Sequence, residues 1–253
     1  MRINDFEHLI QEIKAKALSD SDEYISLMRT VGNNYKYDFT SQLSIYNRNT
    51  NARACGEFDF WRKKFNRTVK RGEKGIPIYK NYGGYGKVTY IFDLSQTVSM
   101  TREVNQVELW ELSNGEDSLR GVLEFNGAFR EDETENMTID EILESIAYME
   151  VINKGNYLLN ELKIAPNYRK IFNDFLTESL KIGYAARLDI NYEADRNKIN
   201  DILGSLDEIS LTIVGNELNL MVADILERTV AIDKEIDKNK VLTKGVIERY
   251  NEN

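Results

Sequence analysis

The chain has 253 residues, 42% of them apolar and 30% charged, and a net charge of −9 at neutral pH. That supplies apolar material for one large core or two small ones, and only 2 prolines and 15 glycines argue against long disordered linkers. A single cysteine, Cys55, excludes an internal disulfide, and a single histidine, His8, excludes any zinc site or catalytic scheme needing two.

The predicted elements begin with helices. In NDFEHLIQEIKAKAL, Phe6, Leu9, Ile10 and Ile13 recur at helical spacing, with Asn4 or Asp5 as the expected cap. SDSDEYISLMRTVG repeats the pattern and should end at Gly32. DFTSQLSIYNRN predicts a third helix with Phe39, Leu43 and Tyr46 on one face, and EFDFWRKKF a short fourth. Cys55, among small residues in NARACGEF, reads as a structural thiol, with a reactive one as the alternative. His8 reads as a helix-flank residue rather than a ligand.

The period then shortens to two. GIPIYK and KVTYIF alternate as strands, and NYGGYG between them holds the glycines a tight turn needs, which predicts a β-hairpin over residues 75–93. Ile76, Ile78, Val88, Tyr90 and Phe92 are expected to form one core side of it. GGYGKVT is not a phosphate-binding loop: Asn81 and Val88 stand where that motif needs Gly and Ser or Thr, and the segment runs into a strand.

Residues 60–92 carry nine Lys or Arg against one acid, Glu73, a net charge of +8 that leaves −17 for the rest of the chain. Eight aromatics are threaded through them. Cations neutralise phosphates without regard to sequence. Rings discriminate, because base faces are free only in a single strand, where each stacked aromatic contributes about 1–3 kcal/mol. The expected contacts are Tyr79, Lys80, Tyr82, Tyr85 and Lys87 on the hairpin. Arg62, Lys63, Lys64, Arg67, Lys70, Arg71 and Lys74 form an adjacent phosphate rail. Trp61 and Phe65, four apart on the short helix, suit either base stacking or packing against the sheet.

Beyond residue 100 the charge reverses. Residues 103–150 hold 14 acids and two arginines. VNQVELWEL and RGVLEF suit short strands or helical turns, and Thr138 should cap a helix after REDETENM. Helical patterns follow in IDEILESIAYMEVI, NYLLNEL, NYRKIFNDFLTESLKIGYAARL, INYEADRNKINDILG, DEISLTIVGNELNLMVADILERTVAI and KEIDKNKVLTKGVIERY. No compact carboxylate spacing suggests a metal site, so neither catalytic nor metal residues nor a cofactor is assigned. Lacking an uninterrupted apolar run of about 18 residues or an export signal, the chain is expected to be cytoplasmic with no membrane partner.

YKYDFTSQLSIYNRNTNARACGEFDFWRKKFNRTVKRGEKGIPIYK followed by YIFDLSQT resembles the N-terminal domain of ArdC-type antirestriction proteins of mobile elements. The likeness spans residues 24–98 and rests on Tyr37, Phe39, Gln42, Leu43 and Ile45, then Trp61, VKRGEKGI and FDLSQT. It implies single-stranded-DNA binding on a plasmid, phage or transposon. A zinc-protease-like domain with an H-E-x-x-H motif often follows in that family. No histidine follows His8 here, so protease activity is not carried over. The expectation is an α+β chain: residues 1–100 with helices, a β-hairpin and a small antiparallel sheet that binds single-stranded DNA, and residues 101–253 a mostly helical acidic domain for protein contact. An anti-defence inhibitor that binds a host restriction or CRISPR nuclease, directly or through its nucleic acid, is the first alternative, and a metal-dependent nuclease the second.

Overall fold

The computed structural model describes residues 1–101, 107–125 and 129–251, with side chains as far as residue 240. Three helices open the chain: α1 (Ile3–Ala17), α2 (Ser21–Asn33) and α3 (Phe39–Arg48). α1 is capped two residues before the first of its expected caps, Asn4. Arg2 is the cap, and Asp5, three residues on, accepts from the Arg2 backbone N–H. The Asp20 carboxylate receives the Asp22 and Glu23 backbone N–H groups at 2.9 Å and so satisfies two of the orphan donors that start α2. Gly32 does not end that helix but lies inside it. A side chain there would come within 1.8 Å of the Gly183 carbonyl oxygen, so glycine is what lets two backbones meet.

The β-structure lies between two runs of helix. In order come β1 (Cys55–Glu57), α4 (Phe58–Phe65), β2 (Arg67–Val69), β3 (Ile76–Tyr82), β4 (Tyr85–Asp93), a 3-10 turn at Leu94–Gln96 and β5 (Thr97–Ser99). They form an antiparallel sheet ordered β1-β4-β3 and a separate β2-β5 pair. The hairpin stands where the alternation placed it, closed by Gly83 (φ 62°) and Gly84 (φ 99°), both in the left-handed region. Its facing differs from expectation. The two-residue turn pairs Tyr82 with Tyr85 and hence Ile76 with Ile91, Ile78 with Thr89 and Tyr79 with Val88. Paired residues share a face, so Ile76 and Ile78 point with Ile91 towards Ile45 and Ala52, whereas Val88 joins the main helical core on the other face and Tyr90 is exposed.

The rest is helical: α5 (Glu116–Phe125), α6 (Glu131–Thr134), α7 (Ile139–Lys154), α8 (Asn156–Glu161), a 3-10 turn at Pro166–Tyr168, α9 (Arg169–Leu188), α10 (Arg196–Leu203) and α11 (Glu208–Asn251). Thr138 caps α7 with Glu141 as its reciprocal partner. RGVLEF is the end of α5. Of VNQVELWEL, residues 107–112 are neither strand nor helix and residues 104–106 fall outside the described residues. The last two helical patterns are one continuous helix. Asp233 on α11 is buried and accepts from the backbone N–H groups of Ser113 and Asn114 and from the Ser118 hydroxyl at 2.7 Å.

The packing does not respect the boundary expected near residue 100. One core contains Phe6, Leu27, Leu43, Phe175, Leu180 and Leu226. The Tyr24 hydroxyl meets Ser179 at 3.0 Å, and Gln42 donates to Asn219 at 2.7 Å. α9 and α11 therefore complete the core that α1–α3 begin. This also accounts for the apolar character of α11. Glu208–Lys240 is long enough to cross a membrane and reaches a mean hydropathy of 1.4 over an 18-residue window, but half of that window is buried inside the protein.

Candidate nucleic-acid interface

The basic run divides between the two β-units. The last turn of α4 carries Arg62, Lys63 and Lys64, all exposed, where cations also complement the helix dipole. Lys63 is paired with Asp59 at 2.9 Å. Asn66 in the left-handed region ends α4 and turns the chain into β2. Arg67 is half-buried, and its guanidinium donates to the Thr97 hydroxyl (2.8 Å) and carbonyl (3.0 Å) across the β2-β5 pair, so its first duty is to hold that pair.

Residues 70–74 form an exposed loop fastened at both ends. The Lys70 N–H donates to the Gln96 carbonyl at 2.9 Å. The Gln96 amide donates to Glu73 Oε2 at 2.9 Å and to the Lys74 carbonyl at 3.0 Å, while its Oε1 accepts from the Asp93 N–H. The Asp93 carboxylate accepts from the N–H groups of Ala54 and Ser95. The GEKG and FDLSQT segments are thus two halves of one clamp. It presents Arg71 and Lys74 to solvent, with the Lys70 ammonium held over the Ser95 carbonyl at 2.6 Å.

The second group is the hairpin tip. Lys80 stands directly opposite Lys87, and Tyr82 opposite Tyr85, so all four side chains share one face beyond the part of the sheet that covers Ile45. Tyr82 is 56% and Tyr85 70% exposed. Lys80 is ion-paired with Glu57 of β1; no carboxylate pairs with Lys87 among the described residues. Tyr79 points to the opposite face. Its hydroxyl lies where a side chain on Gly86 would be, so its ring is laid across that glycine.

Trp61 leaves the predicted set. It is 1% exposed and its indole N–H donates to the Phe92 carbonyl at 2.8 Å, so no face is left for a base. Phe60 and Phe65 pack against it with ring centroids 5.3 and 5.6 Å away. Sequence reasoning passed over Phe58, Phe60 and Tyr90 as contacts, yet each is about as exposed as Tyr79. Tyr90 accepts the N-terminal ammonium at 3.1 Å.

No three His, Cys, Asp or Glu side chains converge on a possible metal position among the described residues. His8 is exposed on α1. Burial pushes the Cys55 thiol well above its ordinary pKa, so it is held as a neutral thiol.

No family model matches the chain, and no curated protein matches it. Among solved structures the chain is similar to the metal-free crystal structure of the antirestriction protein ArdC from plasmid R388. The identity is 13% and the TM-score 0.43, over 77% of this chain and 84% of that one.

Proposed function

We propose that the chain binds single-stranded DNA through the hairpin tip, with the α4 end and the loop of residues 70–74 as phosphate contacts. One observation carries the reading: the cross-strand pairs Lys80–Lys87 and Tyr82–Tyr85 put two cations and two exposed rings on one face of the hairpin. A strand laid along that face meets charge for its backbone and π-faces for its unstacked bases. The resemblance of residues 24–98 to ArdC-type proteins supports a setting on a mobile element, where transferred DNA is protected or host defence is countered. On this reading the exposed acids of residues 103–150 face a protein partner such as a host defence nuclease, the protein works in the cytoplasm, and no hydrolytic step is assigned to it.

The test is a titration of the full chain with single-stranded and duplex oligonucleotides at two salt concentrations. Replacing Lys70, Arg71 and Lys74 by Ala should flatten the salt dependence by about 0.7 for each phosphate no longer neutralised. Replacing Tyr82 and Tyr85 by Ala should leave that slope unchanged and cost about 1–3 kcal/mol per stacked ring. Equal affinity of the tyrosine variant and the parent for single strands, with both folded, would refute the stacking face.

A further inference from the structure

A second cationic site lies away from the hairpin tip. A cavity of about 330 Å³ opens between the end of α2, the start of β1, the end of α9 and α11. Lys36, Arg53, Arg187 and Lys234 line it, and no carboxylate does among the described residues. Arg187 lies over the Trp110 ring at 5.4 Å and Lys36 over Tyr35 at 5.6 Å, so aromatic faces hold two of the cationic heads in place. Among the described residues Arg53 makes one ion pair, to Asp189 at 3.4 Å, and its Nε is buried without a hydrogen-bond partner. A second lining residue, Asn33, has an equally unpartnered Oδ1. The buried Arg53 Nε–H is the unmet donor of the two, costly to leave so and in need of an explanation, while the Asn33 oxygen can only accept, from a ligand's hydroxyl or amino group. Burial lowers the Arg187 pKa; Tyr35 and the Glu111 carboxylate act against that lowering and the neighbouring Arg53 charge adds to it, so the net direction stays downward. An anion placed between the two guanidiniums offsets their repulsion and gives the Arg53 Nε–H an acceptor.

We infer that this cavity binds a nucleotide phosphate: Arg53, Arg187, Lys36 and Lys234 take the phosphate, and the rings of Tyr35, Tyr37 and Trp110 border the base and sugar. Inorganic phosphate alone would leave most of the space empty, whereas about 300 Å³ is where small-molecule sites begin. Cys55 of β1 lines the cavity and pairs with Asp93, the residue of β4 furthest from the tip. The nine residues of β4 put roughly 27 Å between the two sites at about 3.4 Å per step, so substitutions at one should not disturb the other. The phosphate can belong to a free mononucleotide or to the end of a DNA strand.

Calorimetric titration of the full chain with dAMP, and separately with deoxyadenosine, tests the inference. One dAMP should bind per chain, and deoxyadenosine at least tenfold more weakly. Arg187→Gln should lose at least tenfold in dAMP affinity. So should the double variant Lys36→Gln/Lys234→Gln, whose two side chains are exposed and whose fold is safe. Absence of saturable dAMP binding, or unchanged affinity in the double variant, overturns the inference. Comparing 5′-phosphorylated with 5′-hydroxyl single strands then separates the sources: a gain on phosphorylation assigns a strand end, and none, with dAMP still bound, assigns the free nucleotide. The Tyr82/Tyr85 variant should keep its dAMP affinity, so the two sites fail separately.

Discussion

Lys80 and Lys87 face one another across β3 and β4, an arrangement that costs folding energy when nothing neutralises it. Glu57 neutralises one of the two and thereby competes with any phosphate for Lys80. Glu57→Gln should therefore tighten single-strand binding and steepen its salt dependence by up to about 0.7; oligonucleotide titrations at several salt concentrations would show it, and weaker binding would count against the tip. Trp61 makes the opposite case. Its spacing to Phe65 allowed stacking on a base or packing in a core, and only the partner of its indole N–H, a carbonyl 31 residues away, decides between them. Gln42, Asp93 and Gln96 are likewise clamps, with partners that no local pattern reveals. Trp61→Ala should cost about 3–5 kcal/mol in urea unfolding, while molecules that remain folded keep their single-strand affinity.

The elements were legible in proportion to their length and to how far local chemistry alone determines them. The hairpin shows in its alternation and glycine turn. Its facing was misread, although a two-residue turn pairs even positions of β3 with odd positions of β4, so that Ile76 and Val88 cannot share a face. The three-residue strands β1, β2 and β5 were not legible, since a run that short has no period. Gly32 had the look of a helix end for the same reason: what it does depends on Gly183, a residue of another helix. Gly32→Ala sets a methyl group against backbone rather than against a side chain that could turn away. The α2–α9 contact should loosen, with a loss of about 1–3 kcal/mol or more. A thermal melt checks this, and an unchanged midpoint would show that the two helices do not approach so closely in solution.

Across the whole molecule, charge and packing divide the chain differently. The charge changes sign near residue 100, basic over residues 60–92 and acidic over residues 103–150, and that contrast is what suggested two domains. Packing ignores it. Tyr24 packs against Phe175 with ring centroids 5.4 Å apart, and Val31, Leu43, Leu180 and Met221 belong to one buried cluster. Charge is a property of surfaces and can change along a sequence without any break in the core beneath, so a change of sign does not by itself place a domain boundary. If the core is shared, cutting the chain at residue 100 exposes apolar faces on both pieces. The fragment of residues 101–253 should then lack a cooperative melt and should bind a hydrophobic dye such as ANS, as loosely packed states do. Mixing it with residues 1–100 should restore a single transition and suppress the dye signal. A fragment of residues 101–253 that melts cooperatively by itself, at the temperature of the intact chain, would show that the helices of the second half need no cover from α1–α3.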